Sequence, residues 1–400
     1  MTAHITSISI SGLRTLEQFK LDLGGLTVLI GENGSGKSSV IEAFELLRRL
    51  TNNEFTSNYN HIHGGDGLLL RQGSQEIRLL VELSQLGSWQ ATYEVWFSKV
   101  GVRYEAIRVC AEDSTWIRPV NRSLNELEVF SLSGDSGFRE LISAYESAIN
   151  QRASGHPDQI VRDVIDAIRH IDVHLPFDTL AHWAAKSQGS RVPPMRDSVT
   201  IAPAPKLDRF GSNLPCVYHQ LQNESSREQW DYTMELVRMG LGEWVESVNT
   251  RSDPGGGRIA LSVKPRHTDT QIPAASLSDG QLAYLAFVAL TQLPTERSVL
   301  CFDEIELHLH PKMLSQVLYL LEVVAEKVPV VVTTHSRRLL DLLSNPASSV
   351  AILDFDSQRW RTELRRFDAE ALSAWLKDYE GLGKILDAGY QESFLSEPAS

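Results

Sequence analysis

The chain has 400 residues, 42% of them hydrophobic, enough to bury the cores of about two or three domains. Its net charge of −13 argues against a surface given over to phosphate-backbone contacts, and its three cysteines, Cys110, Cys216 and Cys301, are spaced too widely for a disulfide framework or a Cys-x-x-Cys metal clasp. No run of about 18 apolar residues occurs, and the opening "MTAHITSISISGLRTLEQF" lacks the charged-then-apolar layout of a secretory signal, so a cytoplasmic protein without a membrane partner is expected.

"HITSISISGL" alternates apolar and polar positions, and "GGLTVLIGENG" is a short apolar run ending in glycines. These predict two strands, the second buried on both faces. "SSVIEAFELLRRL" then sets Val40, Ile41, Phe44, Leu47 and Leu50 at helical spacing. Residues 76–110 alternate with period 2 and break at Gly87 and Gly101, which predicts an antiparallel meander. Helical stripes follow in "FRELISAYESAI" (Phe138, Leu141, Ile142, Tyr145, Ile149), "DQIVRDVIDAIRHI" and "WDYTMELVRMGLGEWVESV", around the Pro- and Ser-rich "RVPPMRDSVTIAPAPK". None keeps a heptad long enough for an extended coiled coil. From residue 258 strand and helix alternate: "RIALSVK", "DGQLAYLAFVALTQL", "SVLCFDE", "LSQVLYLLEVVAEK", "VPVVVTTHS", "RRLLDLLS". That order marks a parallel α/β sheet. The layout expected is a nucleotide-type α/β core in two parts, 1–110 and 258–366, interrupted by a mostly helical insertion, 111–257, and followed by a tail, 367–400.

"GENGSGKS", Gly31 to Ser38, fits G-x-x-x-x-G-K-S/T between an apolar strand and a helix. Its glycines let successive backbone N–H groups converge on phosphate oxygens, Lys37 neutralises the β- and γ-phosphates, and Ser38 offers a hydroxyl to Mg²⁺. Asn33, Gly34, Ser35, Gly36 and Ser39 complete the expected nucleotide contacts. "SVLCFDE" is an apolar strand ending in two acids; in a nucleoside triphosphatase the first, Asp303, supports the metal and the second, Glu304, takes a proton from the attacking water. Alone, the pair reads equally well as a solvated strand end. "SLSDGQ" opens an apolar helix, where Ser278 or Asp279 serves as an N-cap and the same N–H groups also suit an anion. His335 ends "VPVVVTTHS"; by itself it reads as structural.

Taken in order, "GENGSGKS", "LSDGQ", "VLCFDE" and "TTHS" resemble the Walker A, signature, Walker B and switch-histidine motifs of the ABC-type ATPases. The cytosolic branch with RecF and the structural-maintenance-of-chromosomes proteins is the nearer match, through "ISISGLRTLEQFKLDLGGLTVLIGENGSGKSS" and "DEIELHLHP". "LSAWLKDYEGLGKIL" resembles the tail of bacterial predicted AAA-family ATPases found in anti-phage defence. The resemblance implies an ABC-like mixed sheet with an antiparallel β-subdomain, ATP and Mg²⁺ as ligands, and hydrolysis of ATP to ADP and phosphate. Residue by residue, it implies phosphate and Mg²⁺ at Lys37 and Ser38, metal support from Asp303, a general base in Glu304, and γ-phosphate or water contact by His335. Ser278, Gly280 and Gln281 would press on ATP held by a second copy, closing a homodimer, and Arg14 would reach the nucleotide. A protein effector, a nuclease or toxin, is the partner this branch suggests; direct engagement of DNA in repair or chromosome maintenance is the alternative. Two departures stand out: Ile305 follows the acids where the branch has proline, and Asp279 stands where transporters have glycine. Gln72, Gln75 and Gln85 are all candidates for the Mg²⁺-sensing glutamine. His61 and His63 read as a solvated loop, and His308 and His310 as loop or subunit-contact residues rather than a metal cage.

Overall fold

The computed structural model describes residues 3–111, 115–151, 155–180, 194–253 and 255–368, with Leu372 and Leu382. The tail motif "LSAWLKDYEGLGKIL" therefore lies almost wholly outside the described residues. The chain divides into two units: Met1–Val173 with Glu296–Asp303 and Ala325–Ser400, and His174–Thr295 with Glu304–Val324.

The first unit holds two sheets. One is antiparallel, eight-stranded, and runs in space Phe19–Asp22, His4–Ser11, Ile77–Leu86, Trp89–Ser98, Gly101–Ala111, Ile117–Ser123, Glu126–Phe130, Gly137–Leu141. In His4–Ser11 the alternation buries Ile5, Ile8 and Ile10, with a bulge between Ile5 and Ser7 shifting the register so that all three reach the core. The meander expected over 76–110 forms, turning at Gly87 and Gly101.

The other sheet runs Ile171–His174, Val299–Phe302, Val330–Thr334, Leu26–Ile30, Val350–Asp356, Arg361–Arg366. Val299–Phe302, Val330–Thr334, Leu26–Ile30 and Val350–Asp356 are parallel, and Arg361–Arg366 closes the edge antiparallel. Leu26–Ile30 is buried at every position, as its nearly continuous apolar run requires in a sheet covered on both faces. Parallel neighbours bring their C-terminal ends to one rim, so the residues after Ile30, Phe302 and Thr334 lie side by side.

The helix expected over Phe138 to Ile149 does not form. Gly137–Leu141 is an edge strand on Glu126–Phe130, and only Ala148–Gln151 is helical. Phe138, Leu141 and Tyr145 are 42%, 81% and 64% exposed, so the apolar spacing does not mark a buried face. Pairing on the sheet satisfies the backbone instead. The stretch "WDYTMELVRMGLGEWVESV" is likewise helix only over Arg227–Leu241; Gly242, at φ 109°, stops it, and Val245–Ser252 is a strand. "RRLLDLLS" yields one turn, Arg337–Leu340.

In the second unit Arg258–Pro265 pairs with Val245–Ser252 on one side and with Val199–Thr200 and Ile272–Pro273 on the other. Helix Leu214–Glu224 packs on Val245–Ser252 and Arg258–Pro265, Arg227–Leu241 packs on Val245–Ser252, and Asp279–Gln292 packs on these two helices. Asp279–Gln292 is buried without a break from Leu282 to Leu290, a helix apolar all round. Tyr284 Oη donates to Leu236 O (2.8 Å) and Tyr218 Oη to Leu285 O (3.0 Å), which satisfies both buried phenols. Gly240 permits the first contact, because a Cβ there would lie 2.2 Å from the Tyr284 ring. Among the described residues no helix is long and apolar enough to cross a membrane.

Candidate active site

The glycine-rich loop leaves the C-terminal end of Leu26–Ile30 and enters the helix Lys37–Arg49. Gly36, the N-cap, is left-handed at φ 99°, and no side chain caps the first turn. The helix therefore presents backbone N–H groups and the positive end of its dipole to an anion. Gly34 is also left-handed, at φ 83°, with open space where a Cβ would be. Gly31 allows a close approach: a Cβ there would stand 2.2 Å from Leu353 O. Lys37 is 4% exposed, and its Nζ donates to Gly31 O (2.8 Å) and Glu32 O (2.9 Å), which anchors a buried cation inside the loop. Ser35 Oγ is buried with no hydrogen-bond partner among the described residues. Asn33 and Ser38 are exposed, and Ser39 is buried.

Asp303 follows Phe302, the last residue of Val299–Phe302, on the same rim. Its Oδ1 accepts from Ser38 Oγ (3.2 Å) and from Thr333 Oγ1 (2.5 Å). A hydroxyl of the loop, a strand-end carboxylate and a hydroxyl of the next strand thus converge on one oxygen. His335 follows Val330–Thr334 on the same rim and is exposed. The donor set fits a nucleoside triphosphate and a hard divalent cation: backbone amides and Lys37 for phosphate, and Ser38 and Asp303 oxygens for the metal.

Glu304 departs from the extended strand expected through both acids. Its φ is +51°, left-handed, so the chain turns at this residue. Ile305 behind it is fully buried, an apolar anchor where the resemblance has proline. His310 Nδ1 accepts from Lys312 N (3.3 Å) at the start of the helix Pro311–Ala325, a local cap. His308 is exposed, and its carbonyl would meet a Cβ on Gly280 at 2.7 Å.

Ser278, Gly280, Gln281 and Glu304 belong to the second unit, whereas the loop, Asp303 and His335 belong to the first. Ser278 Oγ accepts from Gln281 N (3.3 Å) and Gln281 Oε1 accepts from Ser278 N (2.9 Å), a closed capping box. Cap and anion contact are compatible, because a hydroxyl that accepts still carries its own proton to donate.

Arg14, at φ +49°, lies beside the loop helix: Nη1 donates to Ser39 Oγ (3.1 Å) and Nη2 pairs with Glu42 Oε2 (2.8 Å). Glu42 Oε1 lies 2.7 Å from His63 Nδ1, which must be the donor because a carboxylate only accepts. His63 is therefore no solvated loop residue; it is 8% exposed, drawn inside by that carboxylate, while His61 is exposed.

Sequence reasoning also passes over Thr333 and Thr362. Thr362 Oγ1 donates to Ser35 O (2.9 Å), so it accepts from Thr15 Oγ1 (2.7 Å), and the hairpin strand Arg361–Arg366 buttresses the loop from behind. "TTHS" held the first signal; nothing local marks the second. Gln72 and Gln75 are exposed, and the side chain of Gln85 lies outside the described residues.

Two family models match the chain: "AAA domain, putative AbiEii toxin, Type IV TA system" over residues 247–341, and "AAA ATPase domain" over residues 4–86. The fold is similar to that of an Smc head bound to the C-winged helix domain of ScpA, with TM-score 0.51 and 14% identity over 90% of this chain and 97% of that one. It is similar to the same degree, TM-score 0.51 and 14% identity, to an Smc head with an extended coiled coil bound to the C-terminal domain of ScpA from Pyrococcus furiosus, over 94% of this chain and 99% of that one. The two models fall on the two halves of the phosphate rim, one on the loop and the other on the acids and His335. Matched by AAA models on both halves of a rim suited to a nucleoside triphosphate, and similar in fold to Smc heads, the chain resembles the ABC/SMC-like AAA ATPases, and ATP hydrolysis is the activity these matches support.

Proposed function

We propose that the chain is an ATP-driven switch that closes as a homodimer around ATP and reports that state to a protein effector in the cytoplasm. The observation that carries the nucleotide-binding part of this reading is the sharing of Asp303 Oδ1 between Ser38 and Thr333, next to a helix start left uncapped by any side chain. Mg²⁺, when bound, screens the phosphate charge; Ser38 and Asp303 are the residues that would hold it. Lys37 and the amides of Asn33 to Ser39 hold the phosphates. Glu304 takes the proton of the attacking water as its oxygen bonds to the γ-phosphorus and the bond to the ADP oxygen breaks, with His335 orienting the γ-phosphate or the water. Ser278, Gly280 and Gln281 contact the ATP of the second copy, and Arg14 approaches the nucleotide from the loop-helix side.

The effector reading draws support from the match to the AAA domain of a putative AbiEii toxin, Type IV TA system, and from the protein-bound state of both similar Smc heads. Such an effector, a nuclease or a toxin, would place the switch in anti-phage defence.

Glu304→Gln, purified in ATP, is expected to be dimeric, inactive, and accompanied by the effector. A monomer at micromolar protein overturns the dimer. Nucleic acid co-purifying in place of protein, with binding that falls steeply with salt, overturns the effector reading in favour of a DNA ATPase. Lys37→Ala is expected to lose ATP binding, and unchanged affinity removes the cradle assignment.

A further inference from the structure

We infer that Arg196 is a positioning residue for the signature turn, and that Asp279 is there to receive it. This deepens the proposed dimer and rests on the reading that Ser278, Gly280 and Gln281 contact ATP on a second copy.

Arg196 ends the single turn Pro194–Arg196, eighty-odd residues before the signature, and its side chain is 2% exposed. Nε donates to Thr179 O (2.8 Å). Nη1 donates to Ala274 O (3.4 Å), Ala275 O (3.1 Å) and Leu277 O (2.6 Å), and Nη2 donates to Asp279 Oδ1 (2.6 Å). A guanidinium is costly to bury, and here every nitrogen is satisfied, mostly by one short turn. The placement is specific. Leu277 and Asp279 flank Ser278, so the residue that opens the capping box is fixed through both its neighbours.

A second constraint comes from the other side. Gly280 sits so close to His308 O that a Cβ would lie 2.7 Å from it. The Ser278 hydroxyl, the Gly280 backbone and the Gln281 amide are thus held between the Arg196 fork and the 308 carbonyl. Asp279 adds a favourable charge at the helix N-terminus, but its oxygen is committed to Arg196. This accounts for an acid in a position where transporter ATPases carry glycine. A lysine would not reproduce the arrangement, because one ammonium cannot reach backward to Thr179, across to Leu277 and forward to Asp279 from a planar fork.

The test uses the full chain in the Glu304→Gln background. ATP-dependent dimerisation is measured by light scattering across protein concentration, and nucleotide affinity of the loop by a fluorescent ATP analogue. Asp279 is 45% exposed at its side chain, so Asp279→Ala is the informative variant should Arg196→Met fail to fold. Asp279→Ala is expected to weaken the dimer by about tenfold to a hundredfold, the loss of one charged hydrogen bond, while ATP affinity stays within about twofold. Asp279→Asn, which keeps an acceptor, is expected to fall between. Arg196→Met, which also frees the Leu277 carbonyl, is expected to weaken the dimer at least as much as Asp279→Ala, and the double variant to be no worse than Arg196→Met. An unchanged dimer constant in Asp279→Ala overturns the inference. So does a parallel loss of melting temperature and ATP affinity, which assigns the pair a merely structural role. Ser278→Arg separates the two levels: if it dimerises normally, the cross-subunit reading itself fails and the positioning role falls with it. If it blocks the dimer while Asp279→Ala does not, only the positioning role fails.

Discussion

Thr333 donates its hydroxyl to the Asp303 oxygen that also accepts from Ser38, so two adjacent strands and the phosphate loop meet at one carboxylate. Thr333 is fully buried, and valine matches its shape while removing the donor. Loss of a hydrogen bond to a charged group costs about 1.5–3 kcal/mol. Thr333→Val is therefore expected to reduce turnover by about tenfold to a hundredfold and to raise the Mg²⁺ concentration needed for half-maximal phosphate release. Thr333→Ser is expected to restore both. An unaltered Mg²⁺ titration in Thr333→Val would show that the hydroxyl does not set the Asp303 geometry.

Arg14 is held by Glu42, and Glu42 by His63. Removing the imidazole leaves the carboxylate less constrained and Arg14 freer to swing away from Ser39. Arg14→Ala is expected to weaken ATP binding about tenfold, as loss of one charged contact does, and His63→Phe by a smaller factor in the same direction. Calorimetric titration with ATP measures both. If Arg14→Ala binds ATP as the parent does, Arg14 serves the fold alone.

The parts of this site that are legible in the sequence are those coded by short spacing. The loop glycines, the Lys37–Ser38 pair and the acids after Phe302 are each recognisable within about ten residues, because strand, turn and helix starts are local events. Thr362 is not, since it meets Thr15 across 347 positions and Ser35 across 327. Arg196 reaches Asp279 across 83. No periodicity announces such a partner. The turn at Glu304 was hidden for a different reason: an acid after an apolar strand reads as strand continuation, whereas the chain spends a left-handed residue there. Edge strand Gly137–Leu141 misleads in the opposite sense, through apolar residues at helical spacing that the structure leaves outside.

Gly36 is constrained twice, by φ 99° and by Thr362 Oγ1, which would lie 2.8 Å from an added Cβ. Alanine there must strain the backbone and push Thr362 off Ser35 O. Gly36→Ala is expected to destabilise the fold by about 1–3 kcal/mol in urea unfolding and to lose ATP binding. Thr362→Val, which leaves the glycine intact, is expected to show a milder form of both defects. Full ATP affinity in Gly36→Ala would mean that the loop tolerates a second conformation.

Glu304 holds a left-handed φ of +51°, a conformation that costs a non-glycine residue about 1–2 kcal/mol. Because Glu304→Gly also removes the carboxylate, comparison with the parent would mix two effects, and alanine is the proper reference. Glu304→Gly is expected to be more stable than Glu304→Ala by about 1 kcal/mol in urea, since only glycine adopts this φ without steric cost. Both are expected to be inactive in phosphate release while keeping the ATP affinity set by Lys37. Equal stability of the two variants would show that the turn relaxes to another conformation once the carboxylate is gone.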